Sequence, residues 1–139
     1  MARWCESGAI AVMGAMKNKG LQRLVMLSSF GIGEKHLPTS AFTIFWQFLL
    51  STAFRSTKKD LVAMEKAVMD SNLDYLLVRP MGLTPEEPPK GKWHLLTGPG
   101  QGKFKSISVS KEDVAAFMLK ECREPTIHRA GVTIGCSND

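Results

Sequence analysis

Residues 61–82, LVAMEKAVMDSNLDYLLVRPMG, carry the two patterns that decide the fold. Apolar side chains recur at helical spacing from Leu61 to Val68, and they predict an amphipathic helix that ends near Ser71. Tyr75–Val78 is a continuous apolar run, typical of a strand that is buried on both faces of a parallel sheet. The stretch therefore predicts an α/β fold in which helices cover a mostly parallel sheet.

The same alternation extends in both directions along the chain. Upstream, the apolar stripe Cys5–Met16 predicts a helix, and Leu24–Leu27 predicts a second buried strand. Downstream, the capping box Ser110–Asp113 predicts the start of a helix, and Val132–Ile134 predicts a last short strand. Thr57–Asp60 has the same capping pattern and predicts the start of the helix over residues 61–68.

The chain has 139 residues, 44% hydrophobic and 22% charged, which suits one globular domain. Its three cysteines are odd in number and widely spaced, so we expect free thiols in a reducing, cytoplasmic compartment. The longest apolar run, residues 41–54, is shorter than the roughly 20 residues that span a bilayer. Residues 1–10 lack the apolar core of a signal peptide. We therefore expect no membrane partner.

The net charge of +5 raises the hypothesis of a nucleic-acid-binding module. The basic residues are dispersed, however, and no nucleic-acid motif accompanies them, so we expect no nucleic-acid partner. The three histidines have no Cys or carboxylate at ligand spacing, so we expect no metal site. These histidines are His36, His94 and His128.

The glycine-rich stretch GPGQGK at residues 98–103 resembles a phosphate-binding loop only at first sight. The P-loop pattern requires Ser or Thr after its Gly-Lys, and Phe104 stands there instead. The stretch therefore predicts a hairpin turn that pairs Lys92–Leu96 with Lys103–Val109.

Two strand ends carry residues suited to ligand binding. In open parallel sheets, ligands lie beyond the carboxyl ends of the strands. Ser28 and Ser29 follow the first strand, where a hydroxyl can bond to a carbonyl or an amide. Arg79–Gly82 ends the second, where a Pro-x-Gly turn allows close backbone approach. The alternative is that the serines cap one strand and Pro80 ends the other, and spacing alone favours that alternative.

Glu65 stands on the apolar stripe of its helix, where an apolar side chain is expected. No Lys or Arg lies three or four positions away to pair with it. A carboxyl pressed against apolar neighbours has a raised pKa and can donate a proton. The alternative, which the helix pattern alone favours, is a carboxylate at the edge of the stripe that reaches solvent.

An aromatic stripe lies between the two buried strands. Such stripes are usually core, although they also form apolar walls over planar substrates. Both interpretations stay open for its members, which are Phe42, Phe45, Trp46 and Phe48.

Three segments together resemble one family. They are GAIAVMGAMKNKGLQRLVMLSSFGIG at residues 8–33, AMEKAVMDSNLDYLLVRPMGL at 63–83, and SVSKEDVAAFMLKEC at 108–122. In this order they resemble the C-terminal part of atypical short-chain dehydrogenases of the NAD(P)H-binding, NmrA-like type, and most closely the flavin reductase or biliverdin-IXβ reductase branch. The resemblance implies a Rossmann-like parallel sheet and NADP or NAD as the cofactor.

The resemblance also implies roles for individual residues. Ser28 and Ser29 match a hydroxyl pair of the family, and Ser29 would lie beside the nicotinamide and the substrate as a catalytic residue. Glu65 falls where flavin reductase has a histidine proposed to deliver a proton, so a catalytic role is implied there too. One segment matches backbone that packs on the nicotinamide carboxamide: Arg79, Pro80, Met81, Gly82 and Leu83.

Two family features have no match in the sequence. The Gly-x-x-Gly-x-x-Gly turn that binds the pyrophosphate is absent, so we expect the N-terminal βαβ half of the domain to be missing and the chain to be a fragment. The exposed sheet edge would then favour self-association. The Tyr-x-x-x-Lys pair of ordinary short-chain dehydrogenases is absent as well, since Thr57 and Leu61 take its place. Alcohol oxidation through that pair is not expected.

Three functional hypotheses follow. The first is an NAD(P)H-dependent oxidoreductase, in which hydride passes to a planar acceptor such as a flavin, a biliverdin-like tetrapyrrole or a quinone. The second is a non-catalytic NAD(P)-fold regulator or interaction module. The third, a nucleic-acid-binding module, depends on net charge alone.

Overall fold

A computed structural model describes residues 3–32, 44–45, 48–49, 52–84, 89–96 and 108–136 of the chain. The order of its elements alternates between helices and strands, as the sequence patterns predict. The elements are α1 (Trp4–Asn18), β1 (Arg23–Leu27), α2 (Arg55–Met69), β2 (Asp74–Pro80), β3 (Leu83–Thr84), β4 (Trp93–Leu96), β5 (Val109–Ser110), α3 (Lys111–Arg123) and β6 (Ala130–Cys136).

Four strands form one sheet in the order β1, β2, β6, β4. β1 pairs parallel with β2, and β2 pairs parallel with β6, so these three strands run in the same direction. β4 lies antiparallel on the other side of β6, and the short strands β3 and β5 pair parallel with each other. The prediction of an α/β fold with a mostly parallel sheet is confirmed.

Helices cover both faces of this sheet. Side chains of a strand point alternately to its two faces, so neighbouring residues of β2 enter different layers. Tyr75 and Leu77 pack with α1 and α2, in a cluster whose other buried members are Ala9, Met16, Leu24, Met64, Val68 and Leu73. Leu76 and Val78 pack with α3, in a cluster whose other buried members are Val109, Val114, Phe117, Val132 and Ile134.

One predicted capping box is confirmed and the other is wrong. Ser110 accepts a hydrogen bond from the Asp113 amide at 3.0 Å and begins α3 as predicted. α2 instead begins at Arg55, without a side-chain cap. Asp60 lies inside that helix, and its carboxylate accepts hydrogen bonds from the amides of Cys5 and Glu6 at 2.9 and 3.0 Å. Asp60 therefore caps the neighbouring helix α1, a tertiary contact that spacing within one helix does not reveal.

The predicted hairpin around residues 98–103 differs from the described part of the sheet. β4 pairs with the long strand β6, and Val109 pairs with Leu83 of β3 rather than with β4. Residues 97–107 lie outside the described residues. Of the aromatic stripe, Phe42 and Trp46 also lie outside them, whereas Phe45 and Phe48 are exposed.

Among the described residues, no helix has the length and apolar character needed to cross a bilayer. The same residues contain no group of three or more His, Cys, Asp or Glu side chains arranged to hold a metal ion.

We expect acid to destabilise the protein in part through Asp113. Burial raises the pKa of this carboxyl, but hydrogen bonds from the Lys90 amide, the Ser110 hydroxyl and the Gly91 amide outweigh burial and hold the pKa below 3.8. A lowered pKa stabilises the fold above the unfolded-state pKa, and that stabilisation is lost as pH falls through the folded-state pKa. The free energy of unfolding, measured in urea, should therefore fall as the pH is lowered from about 5 through the pKa of Asp113 in the folded protein.

Asp113→Asn is the matched variant for this prediction. It should be less stable than the wild-type protein at neutral pH and should lose less stability on acidification, because the titrating group is gone. An acid dependence identical to that of the wild-type protein would contradict a role for Asp113.

Candidate functional site

The carboxyl ends of β1, β2 and β6 meet at one edge of the sheet, as parallel strands require. Backbone hydrogen bonds continue beyond the strands and hold the segments together. Ser28 donates to the Val78 carbonyl at 2.7 Å, and Phe30 donates to the Pro80 carbonyl at 3.2 Å. The segment after β1 is thereby fixed beside the end of β2.

The segment after β2 is held on its other side. The Met81 amide donates to the Ile134 carbonyl at 3.1 Å, and the Gly82 carbonyl accepts from the Val109 amide at 2.8 Å. These bonds tie residues 81–82 to β6 and β5. The structure therefore brings the predicted cofactor residues after β1 and β2 to the same edge.

Ser28 is the most informative residue at this edge. Only 8% of its surface is exposed, and its hydroxyl oxygen has no hydrogen-bond partner among the described residues. Most buried polar groups in native proteins are hydrogen-bonded, so a buried unpaired hydroxyl needs an explanation. The oxygen itself is covered, so a ligand group with a carbonyl or an amide at this edge would bond to it only after a local movement.

The remaining predicted residues of the edge differ in exposure. Ser29 is half-buried, and its carbonyl accepts a hydrogen bond from the Ile32 amide at 3.3 Å. Met81 and Gly82 are half-buried, whereas Leu83 is 42% exposed. The side chains of Phe30 and Ile32, which follow the two serines, are buried.

Glu65 and Arg79 form a buried ion pair between α2 and β2. Arg79 donates through its Nε to one carboxylate oxygen at 2.9 Å and through a terminal nitrogen to the other at 2.8 Å. The side chains are 1% and 9% exposed. Parallel two-bond pairing of this kind fixes both the distance and the direction of the guanidinium.

The ion pair joins two residues that the sequence analysis singled out separately, Glu65 and Arg79. The guanidinium of Arg79 is engaged by Glu65, so contact of Arg79 with a cofactor would use its backbone, as the family resemblance implied. The proposed acid role of Glu65 stays a prediction, because it concerns a proton transfer to a substrate. Its partner Arg79 lies 14 residues away on β2, so residue spacing within α2 does not reveal the pair.

Gly131 is a residue of this site that sequence reasoning missed. A methyl group on Gly131 would lie 2.7 Å from a terminal nitrogen of Arg79 and 2.8 Å from the guanidinium carbon. Gly131 therefore provides the space that the guanidinium occupies. The available signal was weak: a glycine inside a strand often marks close approach of another group.

A family model described as NAD(P)H-binding matches residues 2–125, which is most of the chain. No curated protein sequence matches this chain.

Several solved structures share the fold. A short-chain dehydrogenase/reductase from Veillonella parvula in complex with NADP has a TM-score of 0.76 and 20% identity, over 99% of this chain and 61% of that one. A Rossmann-fold NAD(P)-binding family protein from Shigella flexneri has a TM-score of 0.61 and 26% identity, over 96% and 55%. ChuY, an anaerobillin reductase from Escherichia coli O157:H7, has a TM-score of 0.70 and 22% identity, over 94% and 57%.

These neighbours confirm the predicted Rossmann-like fold. The chain spans about three fifths of the length of the solved relatives. β1 is an outer strand of the described sheet. The expected self-association through the side of β1 that faces away from β2 stays a prediction.

Proposed function

Because the chain belongs to the NAD(P)H-binding family, we propose that it carries the nicotinamide-side part of a reductase that passes hydride to a planar acceptor. When bound, NADPH or NADH supplies the hydride. The acceptor class that we propose is a flavin, a biliverdin-like tetrapyrrole or a quinone. The name of one neighbour, anaerobillin reductase, is in keeping with that class.

The hydroxyl of Ser28, buried and without a hydrogen-bond partner among the described residues, is the observation that carries the proposal. It lies at the sheet edge where ligands of open parallel folds bind, beside backbone that two neighbouring strands hold in place. A carboxamide group presents both a donor and an acceptor, so it can bond to a serine hydroxyl and to peptide groups. The residues present therefore fit the nicotinamide end of the cofactor.

In this proposal the chain orients the reactants and excludes water. Ser28 would bond to the carboxamide, and the half-buried Ser29 would orient the acceptor. The backbone of Pro80–Leu83 would lie along the nicotinamide ring, where the absence of a side chain at Gly82 allows close approach. Orientation of this kind accounts for a large part of the rate in bimolecular hydride transfers.

The direct test is a titration of the purified chain with NADPH, followed by tryptophan fluorescence and by oxidation of the cofactor. FMN, biliverdin and menadione are the acceptors to add, one at a time. We expect saturable binding and turnover with at least one of them. Binding without turnover would favour the non-catalytic regulator, and no binding by a folded chain would overturn the proposal for this chain.

Ser28→Ala should have opposite effects on stability and on binding. Removing a buried hydroxyl that finds no partner in the described part of the chain should raise the free energy of unfolding by about 1 kcal/mol. Loss of the proposed hydrogen bond should weaken NADPH binding about three- to tenfold. Urea unfolding and the fluorescence titration measure the two effects.

Ser110→Ala is the matched control, because its hydroxyl is already bonded in the cap of α3. It should lower the free energy of unfolding by about 1 kcal/mol and leave NADPH affinity unchanged. A Ser28→Ala protein that loses stability and keeps its affinity would exclude Ser28 as a ligand group.

A further inference from the structure

We infer that Glu65, Arg79 and Gly131 form a clamp that fixes the carboxyl end of β2 and thereby positions the backbone of residues 80–83. Glu65 is then a positioning residue, acting through Arg79. The inference depends on the proposed function only for the ligand that this backbone meets, because the clamp itself can be tested without any cofactor.

The first argument is the hydrogen-bond donor that is missing at Pro80, the last residue of β2. Pro80 has no amide hydrogen, so the strand loses one ladder donor just where it ends. The Pro80 carbonyl accepts from Phe30 at 3.2 Å, and the next available amide is that of Met81. A side-chain anchor on the preceding residue, Arg79, adds a constraint to those that the backbone hydrogen bonds provide.

The second argument is the direction of the anchor. Arg79 stands opposite Thr133 in the pairing of β2 with β6, yet its guanidinium lies against Gly131, two residues back along β6. The side chain therefore runs away from the sheet edge and into the layer between the sheet and α2. Such a guanidinium anchors the strand and does not reach a ligand beyond its end.

The third argument is the choice of residue types. An ion pair in a dry layer must overcome a large desolvation cost, and apolar side chains of similar volume often give equal or greater stability. Apolar side chains would fill the same space without fixing a direction. Two parallel hydrogen bonds, in contrast, hold the guanidinium in one orientation relative to α2.

Gly131→Ala tests the clamp while every charged group remains. The added methyl would lie within 3 Å of the guanidinium, which must move and loosen its bonds to Glu65. Gly14→Ala on α1 is the matched control, because its added methyl meets no atom within 4 Å. The readout is amide hydrogen exchange without cofactor.

We expect the edge amides of Phe30, Met81 and Val109 to exchange about tenfold faster in Gly131→Ala. The Asp74 amide, which bonds to Gln22 at the opposite end of β2, should be unchanged in both variants. Equal acceleration at both ends of β2 would indicate a merely structural role and would overturn the inference, as would unchanged exchange at the edge.

The double variant Glu65→Met/Arg79→Met keeps the test valid if Gly131→Ala fails to fold. It removes both charges together, so it should fold and still show faster exchange at the three edge amides. Its NADPH affinity should fall about tenfold or more if residues 80–83 contact the nicotinamide. If the double variant exchanges faster but the wild-type protein does not bind NADPH, the clamp is upheld and the proposed function is rejected. Wild-type exchange in the double variant would reject the clamp whatever the cofactor does.

Discussion

Replacing Arg79 alone with methionine should lower the free energy of unfolding by about 3–5 kcal/mol. The change leaves the Glu65 carboxylate 1% exposed, without the guanidinium that holds both of its oxygens. A charge in that position must stay desolvated, draw in water or take up a proton, and each outcome costs free energy. Urea unfolding at neutral pH measures the loss against a total of about 5–15 kcal/mol for a typical domain.

The double variant Glu65→Met/Arg79→Met is the control for this prediction. Because neither charge remains, its free energy of unfolding should return to within about 1–2 kcal/mol of wild type. The difference between the double variant and the sum of the single changes gives the interaction energy of the pair. If Arg79→Met were as stable as wild type, the pair would not be a dry ion pair.

Local patterns predicted the strands β1, β2 and β6 and the helices α1, α2 and α3, although they placed the start of α2 too late. Apolar runs identified β1, β2 and β6, since a strand buried on both faces leaves a signature within a few residues. β2 is buried along six of its seven residues, whereas the prediction of a buried β1 holds only in part, because Leu24 is buried but Leu27 is exposed. The capping box at Ser110 succeeded because its donor and acceptor lie three residues apart in sequence. The box at Thr57 failed because Asp60 bonds to another helix, and its pattern contains no information about that helix.

In the candidate site, too, some features could be predicted from the sequence and a contact between distant residues could not. Ser28, Ser29 and residues 80–83 could be placed at one sheet edge, because the topology of a parallel sheet brings its strand ends together. The partner of Glu65 could not be found at helical spacing, since Arg79 lies 14 residues away on a strand. Two opposite charges, each inside an apolar pattern, are nevertheless a signal that they meet in the interior.

The role of Gly131 could not be predicted from the sequence. Its role depends on the direction that the Arg79 side chain takes across β6, which is settled by side-chain packing rather than by any pattern within either strand. The hydroxyl of Ser28, which has no partner within the described ranges, could not be predicted either, since only the three-dimensional positions of its neighbours reveal an unsatisfied group.

Phe117→Ala should be the most destabilising change on the other face of the sheet. Phe117 is 1% exposed in the cluster that joins α3 to β2 and β6, and its ring meets Trp93 edge to face with 5.7 Å between centroids. Truncation removes that packing and leaves a cavity, which should cost about 3–5 kcal/mol. Urea unfolding measures the loss.

Leu119→Ala is the control variant, which distinguishes the loss of core packing from a general effect of truncating any side chain on α3. Leu119 lies on the same helix but is 57% exposed, so its truncation should change stability by no more than about 0.5 kcal/mol. Equal losses in both variants would mean that α3 does not pack as described. A loss near 1 kcal/mol in Phe117→Ala would show that Trp93 moves into the vacated space, because the cost of a large-to-small change depends on how far the surroundings collapse.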